Sequence, residues 1–112
     1  MHAFDVLGDP VRRRLLELLA DGEQAAGSLT EVITREFGIS QPAVSQQLRV
    51  LRESGFASVR KDGTRRLYAV SGPAVTEVDR WLDRIRNAWT PPLDALATEV
   101  ARGKRARRGE AP

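Results

Sequence analysis

The fold is decided by the stretch Ser40-Gln-Pro-Ala-Val-Ser-Gln-Gln-Leu-Arg-Val-Leu-Arg-Glu-Ser-Gly55. Ser40 predicts the N-terminal cap of a helix, because a serine hydroxyl accepts hydrogen bonds from the free N–H groups of the first turn. Pro42 suits that turn, where its missing N–H is no loss. Gly55 can take the left-handed conformation that ends many helices. The stretch therefore predicts one helix with a defined start and a defined end.

Two faces of this predicted helix differ in chemistry. Val44, Leu48 and Leu51 recur at helical spacing and form an inward apolar stripe. Another face carries amides, a hydroxyl and a guanidinium without a carboxylate, a composition that suits base edges in a DNA major groove. A solvated polar face on an ordinary amphipathic helix explains the same pattern equally well. The predicted base-reading residues are Gln41, Ser45, Gln46 and Arg49.

The segments on either side favour the DNA-binding interpretation. Upstream, residues 27–37 predict a short helix and Gly38-Ile39 a tight turn, which complete a helix-turn-helix unit. Downstream, the strand-like residues 57–61 and 64–70 flank Asp62-Gly63, a dipeptide typical of two-residue hairpin turns. A basic hairpin that follows a helix-turn-helix makes a winged helix. The residues predicted to bind DNA phosphates are Ser40, Arg52, Arg60, Lys61, Arg65 and Arg66.

The chain resembles the ArsR/SmtB family of small dimeric bacterial transcription regulators over residues 3–90. The resemblance lies in Leu7-Gly-Asp-Pro-Val-Arg-Arg-Arg-Leu-Leu-Glu-Leu-Leu19, in Ser40-Gln-Pro-Ala-Val-Ser-Gln-Gln-Leu48 with Leu51 and Gly55, and in Asp62-Gly-Thr-Arg-Arg-Leu-Tyr68. It implies a homodimer that regulates transcription by binding a pseudo-palindromic operator in double-stranded DNA. It names no inducer or co-regulator.

A long helix is predicted after the wing, over residues 73–89, with an apolar seam that runs from Val75 to Trp89. In the resembled family, the helix after the wing packs against its twofold mate together with the first helix. An intramolecular position in the core is an equally strong expectation for Val75 and Val78. The residues assigned to the dimer interface are Phe4, Leu7, Val78, Trp81, Leu82, Ile85 and Trp89.

The remaining segments complete a mainly α fold with a β-hairpin wing and five to six helices. Residues 3–8 predict a short first helix, Asp9-Pro10 begins a second one that runs to Ala20, and residues 93–100 predict the last. Residues pointing inward from the wing are predicted, from period-two alternation, to be Val59, Tyr68 and Val70.

The run Arg12-Arg13-Arg14 looks like a functional patch, but its residues point in three directions around a helix. We expect a solvated surface with pairing to Glu17, and a phosphate contact by one arginine is the alternative. The ring of Tyr68 is likewise expected to pack under the wing, with stacking on a base as the alternative.

The charge distribution agrees with a DNA-binding protein. The net charge of the 112 residues is +3, yet residues 40–66 hold six basic side chains against two acidic ones, and residues 101–112 hold five against one. Positive charge thus lies on the predicted reading unit and on the tail. We expect residues 1–100 to form one DNA-binding and dimerisation domain. The tail, which has little to bury, is expected to be disordered and either to add non-specific DNA affinity or to maintain solubility.

Other functional classes find little support in the sequence. There is no cysteine, which excludes thiolate metal sites, and the one histidine is His2. Neither a transmembrane run nor a signal peptide is recognisable, so a cytoplasmic protein without membrane contact is expected. We predict no enzyme activity, no cofactor and no metal. Two alternatives remain, a metal-responsive regulator with a weak site of His2 and Asp79 or Asp83, and a winged-helix protein-interaction module without DNA specificity.

Overall fold

The computed structural model describes residues 2–89, which contain five α-helices and a three-stranded antiparallel sheet in the order β1-β3-β2. This is the winged helix-turn-helix that the sequence predicts. The helix predicted at residues 93–100 and the tail at 101–112 lie outside the described residues. The elements are α1 (Ala3–Leu7), α2 (Pro10–Ala20), β1 (Gln24–Ala25), α3 (Ala26–Phe37), α4 (Gln41–Glu53), β2 (Ala57–Asp62), β3 (Arg65–Val70) and α5 (Gly72–Ala88).

The chain divides into two compact units at Asp79. The first unit contains α1 to α4, the whole sheet and the start of α5. Within the described residues, the second unit consists of the part of α5 that follows Asp79 together with Trp89. No helix in residues 2–89 has both the length and the apolar character needed to cross a bilayer.

The helix ends follow from local side-chain chemistry, as predicted. Asp9 Oδ1 accepts a hydrogen bond of 2.8 Å from the N–H of Val11, which caps α2. Ser40 Oγ accepts one of 3.3 Å from the N–H of Ala43, which caps α4. Gly38 ends α3 with a φ of 67°, a left-handed conformation that glycine adopts without strain. The caps fix where α4 starts relative to α3.

The apolar stripes of α2, α3 and α4 meet in one core. Burying each large aliphatic side chain contributes about 1.5–3 kcal/mol relative to exposure, so this core holds α4 firmly by its inner face. Side chains with 2% exposure or less are Val6, Leu15, Leu19, Leu29, Ile33, Val44, Leu48, Leu51 and Phe56.

The turn of the wing lies one residue later than predicted. Asp62 pairs with Arg65, so the two loop residues are Gly63 and Thr64 and not Asp62-Gly63. Gly63 has a φ of 64°, and no non-glycine residue among those described has a positive φ. A turn with Asp62 in the first position would force that residue into the left-handed region, whereas a glycine there is strain-free.

The third strand, β1, has no counterpart among the elements predicted from the sequence. The two residues of β1, Gln24 and Ala25, pair with Tyr68 and Leu67 of β3. Two residues are too few to show an alternating pattern. Tyr68 is 5% exposed, which confirms that its ring packs beneath the wing. The inward prediction for Val70 is wrong, because the side chain at this end of β3 is 42% exposed.

Candidate nucleic-acid interface

The outer face of α4 carries the four predicted base-reading residues, and all four are exposed. Their backbone is fixed from behind, because Val44, Leu48 and Leu51 are buried on the other side of the same helix. Gln41, Ser45 and Gln46 make no side-chain hydrogen bond to the described part of the chain. Their amides and hydroxyl are therefore available to an external partner.

Arg49 is the exception on this face, because its Nε donates to Oε1 of Glu53 at 3.0 Å. The two side chains are 62% and 60% exposed. An exposed ion pair of this kind contributes about 0–1 kcal/mol, less than a good bidentate contact to guanine provides. The pair therefore keeps Arg49 on the reading face without preventing it from leaving Glu53.

The hairpin tip concentrates positive charge in an arrangement that costs stability. Lys61 and Arg66 are directly opposite each other on β2 and β3, and like charges in such positions repel. Neither forms an ion pair with the described residues. An anion between them would remove this repulsion, so the pair suits a DNA phosphate.

The other two wing arginines are already paired with carboxylates. Arg60 donates through Nε and Nη2 to both carboxylate oxygens of Glu23, each at 2.8 Å, and Arg65 Nη2 donates to Asp62 Oδ2 at 2.9 Å. The hydrogen bond from Arg60 lowers the pKa of Glu23, and the same contact raises the pKa of Arg60. A phosphate that binds Arg60 must displace Glu23, a residue that sequence reasoning did not single out.

The expectation of a solvated surface is wrong for Arg12 in the arginine run. Its side chain is 12% exposed, and its Nη1 donates to Oε1 of Gln47 on α4 at 2.8 Å. Arg14 binds both carboxylate oxygens of Glu36 on α3 at 2.9 and 3.0 Å, and this hydrogen bonding lowers the pKa of Glu36. The predicted pairing of the run with Glu17 is also present, through Arg14 at 3.8 Å. No local pattern in the sequence indicates the longer-range partners.

The residues predicted for dimerisation differ in exposure. Leu7 and Val78 are half-buried against the core, so the intramolecular expectation is confirmed for Val78, whereas Val75 is exposed. Water contact by several large apolar side chains is costly unless a partner covers them. The exposed members of the predicted interface are Phe4, Trp81, Leu82, Ile85 and Trp89. Their exposure rises from 37% at Phe4 to 72% at Trp89.

His2 has partners that differ from those of the metal-site alternative. Its Nδ1 accepts from the N–H of Phe4 at 3.3 Å and caps α1, and its Nε2 lies 3.7 Å from Oε1 of Glu77. Asp83 pairs with Arg86 at 3.1 Å, as expected for a solvated helix face. Residues 2–89 contain no cluster of three metal-ligating side chains.

Comparisons with known proteins agree with this architecture. A sequence model of bacterial regulatory proteins of the arsR family matches residues 9–59, from the cap of α2 into the wing. The HTH-type transcriptional regulator Rv2034 of Mycobacterium tuberculosis is 37% identical over 96 residues, which cover 86% of this chain and 83% of the relative. The chain belongs to the arsR family. This confirms the resemblance drawn from the sequence, and the family consists of regulators and not enzymes.

Solved structures of similar proteins share the fold. The crystal structure of one ArsR family transcriptional regulator has a TM-score of 0.66 at 28% identity, covering 78% of this chain and 86% of that one. The homodimeric winged helix-turn-helix DNA-binding domain of Mb0332 from Mycobacterium bovis has a TM-score of 0.58 at 25% identity, covering 76% and 75%. The chain spans 63% of the length of two uncharacterized HTH-type transcriptional regulators of M. tuberculosis.

Proposed function

We propose that this arsR-family chain is a homodimeric transcription regulator that binds a pseudo-palindromic operator in double-stranded DNA. The observation that carries the proposal is the asymmetry of α4. Its inner face is buried in the core, and its outer face presents exposed amides, a hydroxyl and a guanidinium. A helix held rigidly from behind with such groups in front is what direct readout in a major groove requires.

Base readout belongs to Gln41, Ser45, Gln46 and Arg49. Glutamine pairs bidentately with adenine and arginine with guanine, while serine contacts either, so the face can distinguish base pairs in the major groove. Arg49 exchanges its bond to Glu53 for a base edge when DNA is present. That exchange makes Arg49 the strongest single contributor to sequence preference on this face.

The DNA backbone is held by residues around this face and on the wing. Lys61 and Arg66 bind phosphates without breaking an ion pair within the described residues. Arg60 and Arg65 bind phosphates by exchanging their ion pairs with Glu23 and Asp62. Such contacts position the protein and give affinity without reading sequence. The remaining members of the proposed phosphate set are Ser40 and Arg52.

Two copies are needed because one winged helix reads only a few base pairs. A twofold mate places a second reading helix about 34–36 Å away, in the next major groove on the same face of the DNA. The homodimeric state of the similar Mb0332 domain supports a dimer, and we assign the contact between copies to the predicted interface residues of α1 and α5. A regulator of this kind acts on the chromosome in the bacterial cytoplasm and needs no cofactor for DNA binding.

The experiment that tests this function is selection of a preferred duplex from a random library, followed by binding measurements on that duplex and on random DNA. Specific regulators bind their sites roughly 10³–10⁷-fold more tightly than other DNA. A protein-interaction module would show no such preference and would contradict the proposal.

The dimer is tested with Ile85→Asp, which places a carboxylate on an exposed apolar position, 49% accessible in the single chain. If a second copy covers this position, desolvating the charge costs several kcal/mol. We expect a helical protein that sediments as a monomer and loses the selected duplex. Glu77→Asp, on the same helix without new charge, serves as the control. A dimer with unchanged affinity would place the twofold axis elsewhere.

A further inference from the structure

The guanidinium of Arg12 bridges two helices that are separate in sequence. Its Nε donates to the carbonyl oxygen of Val6 at 2.8 Å and its Nη2 to that of Asp5 at 3.0 Å, both in α1. Its Nη1 donates to Oε1 of Gln47, in the middle of α4, at 2.8 Å. With a side chain only 12% exposed, Arg12 lies between these elements and not on the surface.

The chemistry of the pair fixes more than a distance. A guanidinium is planar and only donates, so its three hydrogen bonds hold α1 and α4 in one geometry. The Gln47 amide must turn its oxygen toward Arg12, which sets both its rotamer and its amide orientation. The apolar stripe of α4 keeps its inner face in the core, and the hydrogen bonds of Arg12 add a directional restraint that apolar contact lacks.

We propose that Arg12 is a positioning residue for the reading helix, which acts through Gln47 to fix the rotation of α4 relative to α1. The proposal rests on the proposed function, because it concerns how accurately α4 meets the operator. Since α1 also carries Phe4 and Leu7 of the proposed dimer interface, the same three hydrogen bonds relate the position of the reading helix to the dimer. Without them, α4 stays folded and still meets DNA, but its outer face loses its alignment with base edges.

The neighbouring Arg13 provides a matched control within the chain. Its Nη1 donates to the carbonyl oxygen of Leu7 at 2.6 Å, so it also joins α2 to the end of α1. Within residues 2–89 it donates no hydrogen bond to α4, and its side chain is exposed. An effect that follows from weakening α1, or from altering one cationic side chain, should therefore appear in both arginine variants. An effect that follows from the orientation of α4 should appear only with Arg12.

The test measures binding to the duplex that the wild-type protein selects from a random library and to random duplex of equal length. The variants are Arg12→Lys, Gln47→Met, the double variant and the control Arg13→Lys. We expect each single change to lower the ratio of the two affinities roughly tenfold, a size typical of altered coupling between elements. The double variant should fall no further, because both changes break the same hydrogen bond. Arg13→Lys should stay within about twofold of wild type.

Two readouts separate positioning from a general loss of structure. Affinity of Gln47→Met for random duplex should remain near the wild-type value, and its urea midpoint should fall only modestly, because Arg12 loses one acceptor while the apolar core is untouched. Gln47→Glu keeps an acceptor for Arg12 and should retain the wild-type ratio, even if its charge lowers both affinities together. If Arg12→Lys unfolds, Gln47→Met still tests whether the hydrogen bond between Arg12 and Gln47 orients α4.

The positioning role is overturned if Gln47→Met keeps the full ratio, or if the effects of the two single variants add in the double variant. Equal effects of Arg12→Lys and Arg13→Lys would also overturn it, since only Arg12 of the two bonds to α4. If the wild-type protein prefers no duplex over random DNA, that outcome contradicts the proposed function itself and is distinguishable from the outcomes that overturn the positioning role.

Discussion

The reading helix α4 and the wing are both polar and exposed, but the fold supports them differently. α4 is fixed along its length by three buried side chains, and most of its outer polar groups have no partner within the described residues. The buried anchors of the wing lie at its base, at Ala57, Leu67 and Tyr68, and its six residues from Lys61 to Arg66 are all exposed. Readout of bases needs a backbone held in place, whereas attraction to phosphates tolerates a less constrained one.

The largest expected difference between the two regions is in stability. Leu51 is fully buried behind α4, so Leu51→Ala should lower the free energy of unfolding by about 2–5 kcal/mol. Lys61→Ala at the wing tip should change it by no more than about 0.5 kcal/mol. Urea denaturation followed by circular dichroism measures both. Similar losses of free energy of unfolding in the two variants would mean that the core does not hold α4.

The second difference is in sequence preference. Arg49→Ala should weaken binding to the selected duplex by about 1–3 kcal/mol and should affect random DNA much less. Arg52→Ala is the matched control, because it removes the same charge from the same helix but is proposed to contact a phosphate. Arg52→Ala should weaken binding to the selected duplex and to random DNA alike. Were Arg49→Ala to do the same, Arg49 would be a phosphate contact.

The third difference is in salt dependence. Replacing Lys61 and Arg66 together by alanine should flatten the slope of log affinity against log salt by roughly two units, about one for each phosphate that the variant no longer binds. The change should be the same on selected and random duplexes. Arg84→Ala, an exposed charge on α5, should leave the slope unchanged. An unaltered slope in the double variant would remove the wing from the interface.

The smallest effect concerns Glu23, whose removal should strengthen DNA binding. Glu23→Gln removes the carboxylate that competes with a phosphate for Arg60, so the affinity for selected and random duplexes should rise together. Glu31→Gln makes the same change of charge at an exposed glutamate that forms no ion pair within residues 2–89, and it should have little effect. No increase beyond that of Glu31→Gln would show that Arg60 does not contact a phosphate.

The pH dependence of the Glu23 contact has a definite sign. Because Arg60 lowers the pKa of Glu23 in the folded chain, the contact stabilises the fold above the ordinary pKa of a glutamate. That contribution disappears as the pH falls through the lowered pKa. At neutral pH the contact is therefore intact. Acidification should reduce the difference in free energy of unfolding between the wild-type protein and Glu23→Gln.

Sequence reasoning succeeded where neighbouring residues determine the structure. Ser40, Pro42, Gly38 and the apolar stripe of α4 act within a turn or two of helix, and their roles are confirmed. It failed where the cause is distant in the chain. Arg12 meets Gln47 across 35 positions and Arg60 meets Glu23 across 37, and no periodicity or turn signal records such contacts. The hairpin turn was misplaced by one residue because two turn types compete for the same glycine.

The separate contributions of α4 and the wing are tested most directly by one ratio, the affinity for the selected duplex divided by that for random duplex. It should be measured with Gln41, Ser45 and Arg49 changed together to alanine, and again with Arg60, Lys61 and Arg66 changed together. The first set should lose most of the ratio while random DNA still binds. The second should keep the ratio within about threefold while both affinities fall. Loss of the ratio in the wing set, with retention in the α4 set, would contradict readout by α4.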